Sequence, residues 1–180
     1  PDPSSWFDIR LEALLLEISF VTVDAIGRMA LSFDVPVLLN AAPAAKIPNS
    51  WWDWINMLVV NEVEASALTG LEIQNPQDAE IAAQQLHKHC QNVLITLGEK
   101  GVLLCNAEGV DHLPAYRVPV VSTLGAGDAF VGVLAAEWVR HQDLRQAAEQ
   151  ANRAAAASVQ RSGAQVSYVR TNELGNWGVS

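Results

Sequence analysis

Short β-prone runs alternate with helical segments along this chain, and the alternation restricts the fold more than any other feature. Ala13–Glu17, Val35–Asn40, Asn56–Val60 and Asn92–Thr96 read as strands, with helices over Val21–Ser32, Glu62–Thr69 and Pro76 to about His89 between them. Strands separated by helices form a parallel sheet, because the chain must cross over before it pairs again. Punctuation supports the assignment: Gly70 stops one helix, and Asn75 followed by Pro76 starts the next as cap and first helical residue. Beyond Thr96 the spacing tightens. Val102–Asn106 and Val110–Pro114, separated by turns at Leu97–Gly101 and Glu108-Gly109, predict antiparallel edge strands. The last third predicts a strand at Arg117–Val121, a helix to about Arg140, and a second helix from Asp143 to about Arg161 with Gly163 as its stop. Asp143 with Gln146 resembles a capping box, and Ala154–Ala157 allows close helix packing.

Composition sets the limits. In 180 residues, half of them hydrophobic, there is enough apolar surface for one substantial core, so residues 1–180 are expected to form a single α/β domain. Eleven basic against twenty acidic residues give a net charge of −9, which excludes nucleic acid or an anionic membrane as the main partner. Any phosphate site must be local, built from amides, a helix terminus or a metal. Cys90 and Cys105 show no paired spacing and read as buried hydrophobes in a reducing compartment. No apolar run is long enough to span a bilayer and Pro1–Trp6 lacks the basic region of a signal peptide, so a cytoplasmic setting is expected. His87, His89, His112 and His141 have no metal-ligand spacing. Trp51, Trp52 and Trp54 suit core packing or a partner surface.

Ser122-Thr123-Leu124-Gly125-Ala126-Gly127-Asp128-Ala129-Phe130 places two glycines and a carboxylate at the start of an apolar, alanine-rich helix. Glycines let the backbone turn tightly and aim N–H groups at an anion, which the helix terminus also attracts. The stretch is neither a P-loop, which needs Lys-Ser or Lys-Thr after its last glycine, nor a dinucleotide fingerprint, which needs glycine where Phe130 stands. Asp128 among phosphate-binding amides suits acid-base work on an acceptor hydroxyl beside a polyphosphate. A plain helix cap explains the aspartate equally well, and the residues alone leave both readings open.

Three further clusters lie near strand ends. Asn61 and Glu64 follow a strand, at the carboxyl edge where ligands bind an open α/β sheet. They could organise Mg²⁺ on phosphates, yet their spacing is also a capping box. Thr96-Leu97-Gly98-Glu99-Lys100-Gly101 reads as a hairpin turn whose Thr96 and Gly98 could line a nucleotide pocket. Asn152, on the last long helix, faces either a base or ribose or the solvent.

Taken in order, Asn40-Ala41-Ala42-Pro43, Asn61-Glu62-Val63-Glu64 with Leu68-Thr69-Gly70, Thr96–Gly101, the glycine loop and Arg161-Ser162-Gly163-Ala164-Gln165 resemble the PfkB family of carbohydrate kinases from about Leu11 to Val169. The resemblance implies a three-layer α/β/α ribokinase-like fold with a mainly parallel sheet and antiparallel edge strands. It implies ATP-dependent phosphoryl transfer to a sugar hydroxyl, with Asp128 as base and Gly125, Ala126 and Gly127 as the anion hole. Asn61 and Glu64 would handle Mg²⁺ and phosphate, partly through water, while Thr96, Gly98, Gly101 and Asn152 would line the ATP site. A K⁺ site would involve Ser122, Arg161, Gly163 and Ser167, although many members carry aspartate where this chain has the neutral, weaker ligand Ser122.

A second departure is larger. The sequence reads as the C-terminal, ATP-binding and catalytic portion of such a kinase, lacking the N-terminal part, its Gly-Gly substrate motif and its β-sheet lid. Three functional expectations follow: a sugar kinase or a portion of one; a non-catalytic nucleotide-binding fragment or pseudokinase; and an interaction partner that exposes apolar edges. The expected partners are a small-molecule sugar and ATP, with a homodimer or a complementary N-terminal half completing the assembly.

Overall fold

The computed structural model describes residues 20–42 and 46–160. The strand expected at Ala13–Glu17 lies outside them. The chain divides into two compact units, Pro1–Leu97 with Leu103–Asp111, and Gly98–Val102 with His112–Ser180.

The first unit is built on a sheet. Its elements run α1 (Phe20–Ser32), β1 (Leu38–Asn40), β2 (Met57–Asn61), α2 (Glu62–Thr69), α3 (Pro76–His87) and β3 (Asn92–Thr96), followed by β4 (Val102–Asn106) and β5 (Gly109–Leu113), whose ends pass into the second unit. Spatial order is β1-β2-β3-β4-β5. β1, β2 and β3 are parallel, in a register that sets Asn40 beside Val59 and Asn61 beside Thr96. The links from β3 to β4 and from β4 to β5 are too short for a crossover, so these neighbours pair antiparallel, as the sequence predicts. Consecutive residues Met57–Val60 and Val93–Ile95 are all buried, which is why these strands read as unbroken apolar runs rather than alternating ones.

Helix α1 meets this core through a glycine. A Cβ on Gly27 would lie 2.3 Å from the Trp54 ring, so only glycine permits that approach. Trp54 packs against Trp51, and Trp51 against Phe20, each pair with centroids 5.2 Å apart. Trp51 and Trp54 are therefore core residues. Strand β1 is shorter than expected from Val35–Asn40. Pro36 has no N–H for the ladder, and the Val37 N–H donates to Asn56 Oδ1 at 2.7 Å.

The second unit pairs α4 (Ala126–His141) with α5 (Leu144–Ser158). The two-residue link makes them an antiparallel hairpin, turned by Gln142 at φ 55° and capped by Asp143, which accepts from the Gln146 N–H at 2.9 Å. Phe130, Val131, Leu134 and Ala135 of α4 and Ala147, Ala148, Ala151 and Ala154 of α5 are buried, and the small alanines allow the axes to approach closely. The helix end expected near Arg161 falls at Ser158, and Gly163 lies outside the described residues.

The strand predicted at Arg117–Val121 is absent. Residues 114–120 have neither strand nor helix, because Pro114 and Pro119 remove ladder donors while the Val121 and Ser122 N–H groups both donate to the Val159 carbonyl, at 2.7 and 3.0 Å. No helix among the described residues is long and apolar enough to cross a membrane.

Candidate active site

In the first unit, the carboxyl ends of the parallel strands carry Asn40, Asn61 and Thr96. Asn61 is both the last residue of β2 and the cap of α2. Its Oδ1 accepts from the Glu64 N–H at 2.9 Å, and Glu64 Oε2 accepts from the Asn61 N–H at 2.8 Å, a complete capping box. Thr96 adjoins Asn61 in register and its hydroxyl donates to the Val60 carbonyl at 3.4 Å. Glu64 is buried, which pushes its carboxyl above the ordinary range; the N–H of Asn61 opposes this in part. Glu64 Oε1 makes no hydrogen bond among the described residues. Asn40 belongs to a motif visible in the sequence, but only the strand register identifies it as a third polar group on this edge.

In the second unit, the glycine loop turns directly into α4. Gly125 takes φ 81° at the N-cap, a left-handed conformation that favours glycine, and has no side chain to cap with. The Ala126 N–H donates to the Thr123 carbonyl at 3.3 Å and the Ala129 N–H to the Gly125 carbonyl at 2.9 Å. The Gly127 and Asp128 N–H groups thus point out of the first turn with no helical acceptor. A Cβ on Gly127 would meet nothing within 4 Å, so the side of the turn that Gly127 faces is open. Asp128 is exposed and its carboxylate has no partner among the described residues. Glu64 and Asp78, at the same third helical position of α2 and α3, fold back onto asparagine caps, whereas Asp128 does not.

Two of the predicted nucleotide residues of this unit, Gly101 and Asn152, meet the same stretch of backbone. A Cβ on Gly101, at φ 103°, would lie 2.1 Å from the Leu113 carbonyl oxygen and 2.6 Å from the Ala115 nitrogen. Asn152 is buried and its Nδ2 donates to the Pro114 carbonyl at 2.9 Å. Gly98, at φ 56°, is exposed and open. Beside Asn152, a group the sequence did not single out appears: Arg153 Nε donates to the Tyr116 hydroxyl at 2.8 Å, with the guanidinium 5.5 Å from the ring centroid. Its only sequence signal is an arginine within an alanine-rich helix. Ser122 Oγ accepts from the Leu124 N–H at 3.3 Å, while Arg161, Gly163 and Ser167 lie outside the described residues.

No group of three or more His, Cys, Asp or Glu among the described residues could hold a metal ion unaided.

Comparison with known proteins bears on this arrangement. The chain is 34% identical to a ribokinase of Staphylococcus aureus (strain COL) over 161 residues, 88% of this chain and 53% of the relative. It is 37% identical to a deoxyribokinase of Salmonella typhi over the same shares of each. An Arabidopsis thaliana ribokinase solved with ribose and ATP superposes with a TM-score of 0.76 at 30% identity, over 86% of this chain and 50% of that one. The chain thus has the ribokinase-like α/β fold and spans about half the length of the curated relatives it matches. The pfkB family carbohydrate kinase model matches residues 13–172, and the chain belongs to that family.

Proposed function

We propose that this chain provides the nucleotide-binding and catalytic part of an ATP-dependent carbohydrate kinase that phosphorylates a sugar hydroxyl. The observation that carries the reading is the start of α4, where two outward N–H groups share one exposed turn with Asp128, whose carboxylate has no partner among the described residues. Asp128 takes the proton from the attacking hydroxyl. The amides of Gly125, Ala126 and Gly127 receive the transferred phosphoryl in this reading, which requires the Ala126 N–H to leave the Thr123 carbonyl it meets at 3.3 Å, and the helix terminus adds positive potential; fixed donors of this kind supply much of the acceleration in phosphoryl transfer.

Thr96, Gly98, Gly101 and Asn152 line the ATP site in this reading. Mg²⁺ when bound neutralises the developing phosphate charge, and Asn61 with Glu64 orients its water shell. Ser122, with its hydroxyl engaged by Leu124, contributes to a monovalent-cation site together with Arg161, Gly163 and Ser167. Since the relatives are longer, we assign recognition of the sugar to a complementary N-terminal half. A cytoplasmic setting suits both the ATP substrate and the buried free thiols of Cys90 and Cys105.

The test is phosphorylation of a panel of pentoses, deoxypentoses and hexoses by the polypeptide bearing this sequence, with MgATP binding measured by calorimetry. Turnover that Asp128→Asn lowers by about 10²–10⁴-fold, with nucleotide affinity retained, supports the reading. Turnover unchanged in Asp128→Asn overturns the assigned base. Binding of MgATP without turnover of any sugar replaces the kinase with a nucleotide-binding module, and absence of binding overturns both.

A further inference from the structure

The segment from Pro114 to Leu124 connects β5 to the glycine loop without any strand or helix of its own. It is held instead along α5. Asn152 Nδ2 donates to the Pro114 carbonyl at 2.9 Å, Arg153 Nε donates to the Tyr116 hydroxyl at 2.8 Å, and the carbonyl of Val159, at the C-cap of α5, accepts from the Val121 and Ser122 N–H groups at 2.7 and 3.0 Å. These ties lie in the same order on the connector and on the helix, spread over roughly 10 Å of its axis. The contact at Tyr116 differs from the other two because it joins two side chains, by a hydrogen bond and by a guanidinium near the ring face. Both side chains are half-buried, so solvent weakens the pair less than it would on an open surface.

We propose that Arg153 and Tyr116 are a positioning pair: they fix the register of the connector on α5 and so set where the Gly125–Asp128 turn stands during phosphoryl transfer. The proposal rests on the kinase reading above. Neither side chain touches the reacting atoms. Their influence passes through eight residues of backbone whose other ties to α5, among the described residues, are at Val121 and Ser122. A displacement of about 1 Å at a reacting group can cost 10²-fold in rate, so even modest slack in the connector is felt at the base.

The experiment compares Tyr116→Phe, which keeps the ring and loses the hydroxyl, with Arg153→Met, Arg153→Lys and the double variant Tyr116→Phe/Arg153→Met. Expected are a fall in kcat of about tenfold in Arg153→Met, KM for ATP within about twofold, and partial recovery in Arg153→Lys. The double variant should be no slower than the worse single one, since both remove one interaction. Amide exchange over Val118–Leu124 should speed up in Arg153→Met. Unchanged kcat accompanied by a lowered Tm, or additive losses in the double variant, overturns the proposal. Where wild type and Asp128→Asn alike fail to turn over any sugar, the kinase reading falls. Exchange then decides the pair alone, and unaltered rates over Val118–Leu124 overturn it.

Discussion

The starts of α2 and α4 look alike in sequence, each with a carboxylate at the third helical position, and they behave in opposite ways. At α2, Asn61 and Glu64 exchange two hydrogen bonds and close the helix on itself. At α4 the capping position is Gly125, in a left-handed conformation with no side chain to offer, and Asp128 stays exposed. One terminus satisfies its own donors. The other leaves donors and a carboxylate facing outward together, an arrangement that costs stability unless something binds there. A carboxylate in a first turn is therefore uninformative until its cap is known.

The comparison breaks most sharply at Gly127. A Cβ there meets nothing within 4 Å, and the position is helical, so Gly127→Ala should leave the fold intact and raise stability by up to about 1 kcal/mol. If the open space is where the phosphoryl group arrives, the same methyl should lower kcat/KM by about 10²-fold, through displacement of the reacting group. Thermal melts and steady-state kinetics on one preparation check both. A stabilised variant with full activity would make the α4 turn an ordinary helix start.

Much of this contrast was legible in the sequence, and what was not has identifiable causes. The bounds of β3, β4 and α2 follow from apolar runs and from Asn, Gly and Pro punctuation that acts locally. The strand expected at Arg117–Val121 failed because α5 supplies the acceptor at Val159, a contact that no local pattern announces. The Arg153–Tyr116 pair was hidden for the same reason, being 37 residues apart in the chain. Asp128 illustrates the limit at the site. Its motif is plain, yet its freedom from capping depends on the φ of Gly125.

At the self-satisfied terminus, the expected effects are on stability. Asn61→Ala removes the acceptor for the Glu64 N–H and should destabilise the protein by about 1 kcal/mol, read as a shift in the urea midpoint without change in m. Cys90 gives an independent gauge of the same unit. Its thiol is buried, which pushes its pKa up to about 11, so it should resist a thiol reagent at pH 8 until the unit opens. Asn61→Ala should then speed Cys90 labelling in proportion to the stability lost. Unaltered labelling alongside an unaltered midpoint would show that the capping box contributes nothing.

The smallest effect expected is the pH dependence of Glu64, and its sign separates burial from capping. Burial raises the folded-state pKa above the ordinary value of 4.5, so the folded protein holds this proton more tightly than the unfolded chain does. The contribution of Glu64 is then fully present below the unfolded pKa and is lost as pH rises through the folded one, the reverse of a salt-bridged carboxylate. Glu64→Gln keeps an oxygen to accept from the Asn61 N–H but cannot ionise. It should therefore match wild type at low pH and be equally or more stable at neutral pH, with a flatter curve of urea midpoint against pH just above 4.5. Were hydrogen bonding to the charged form dominant instead, wild type would gain on Glu64→Gln as pH rises. That outcome would make Glu64 a cap that prefers its charge, with hydrogen bonding outweighing desolvation.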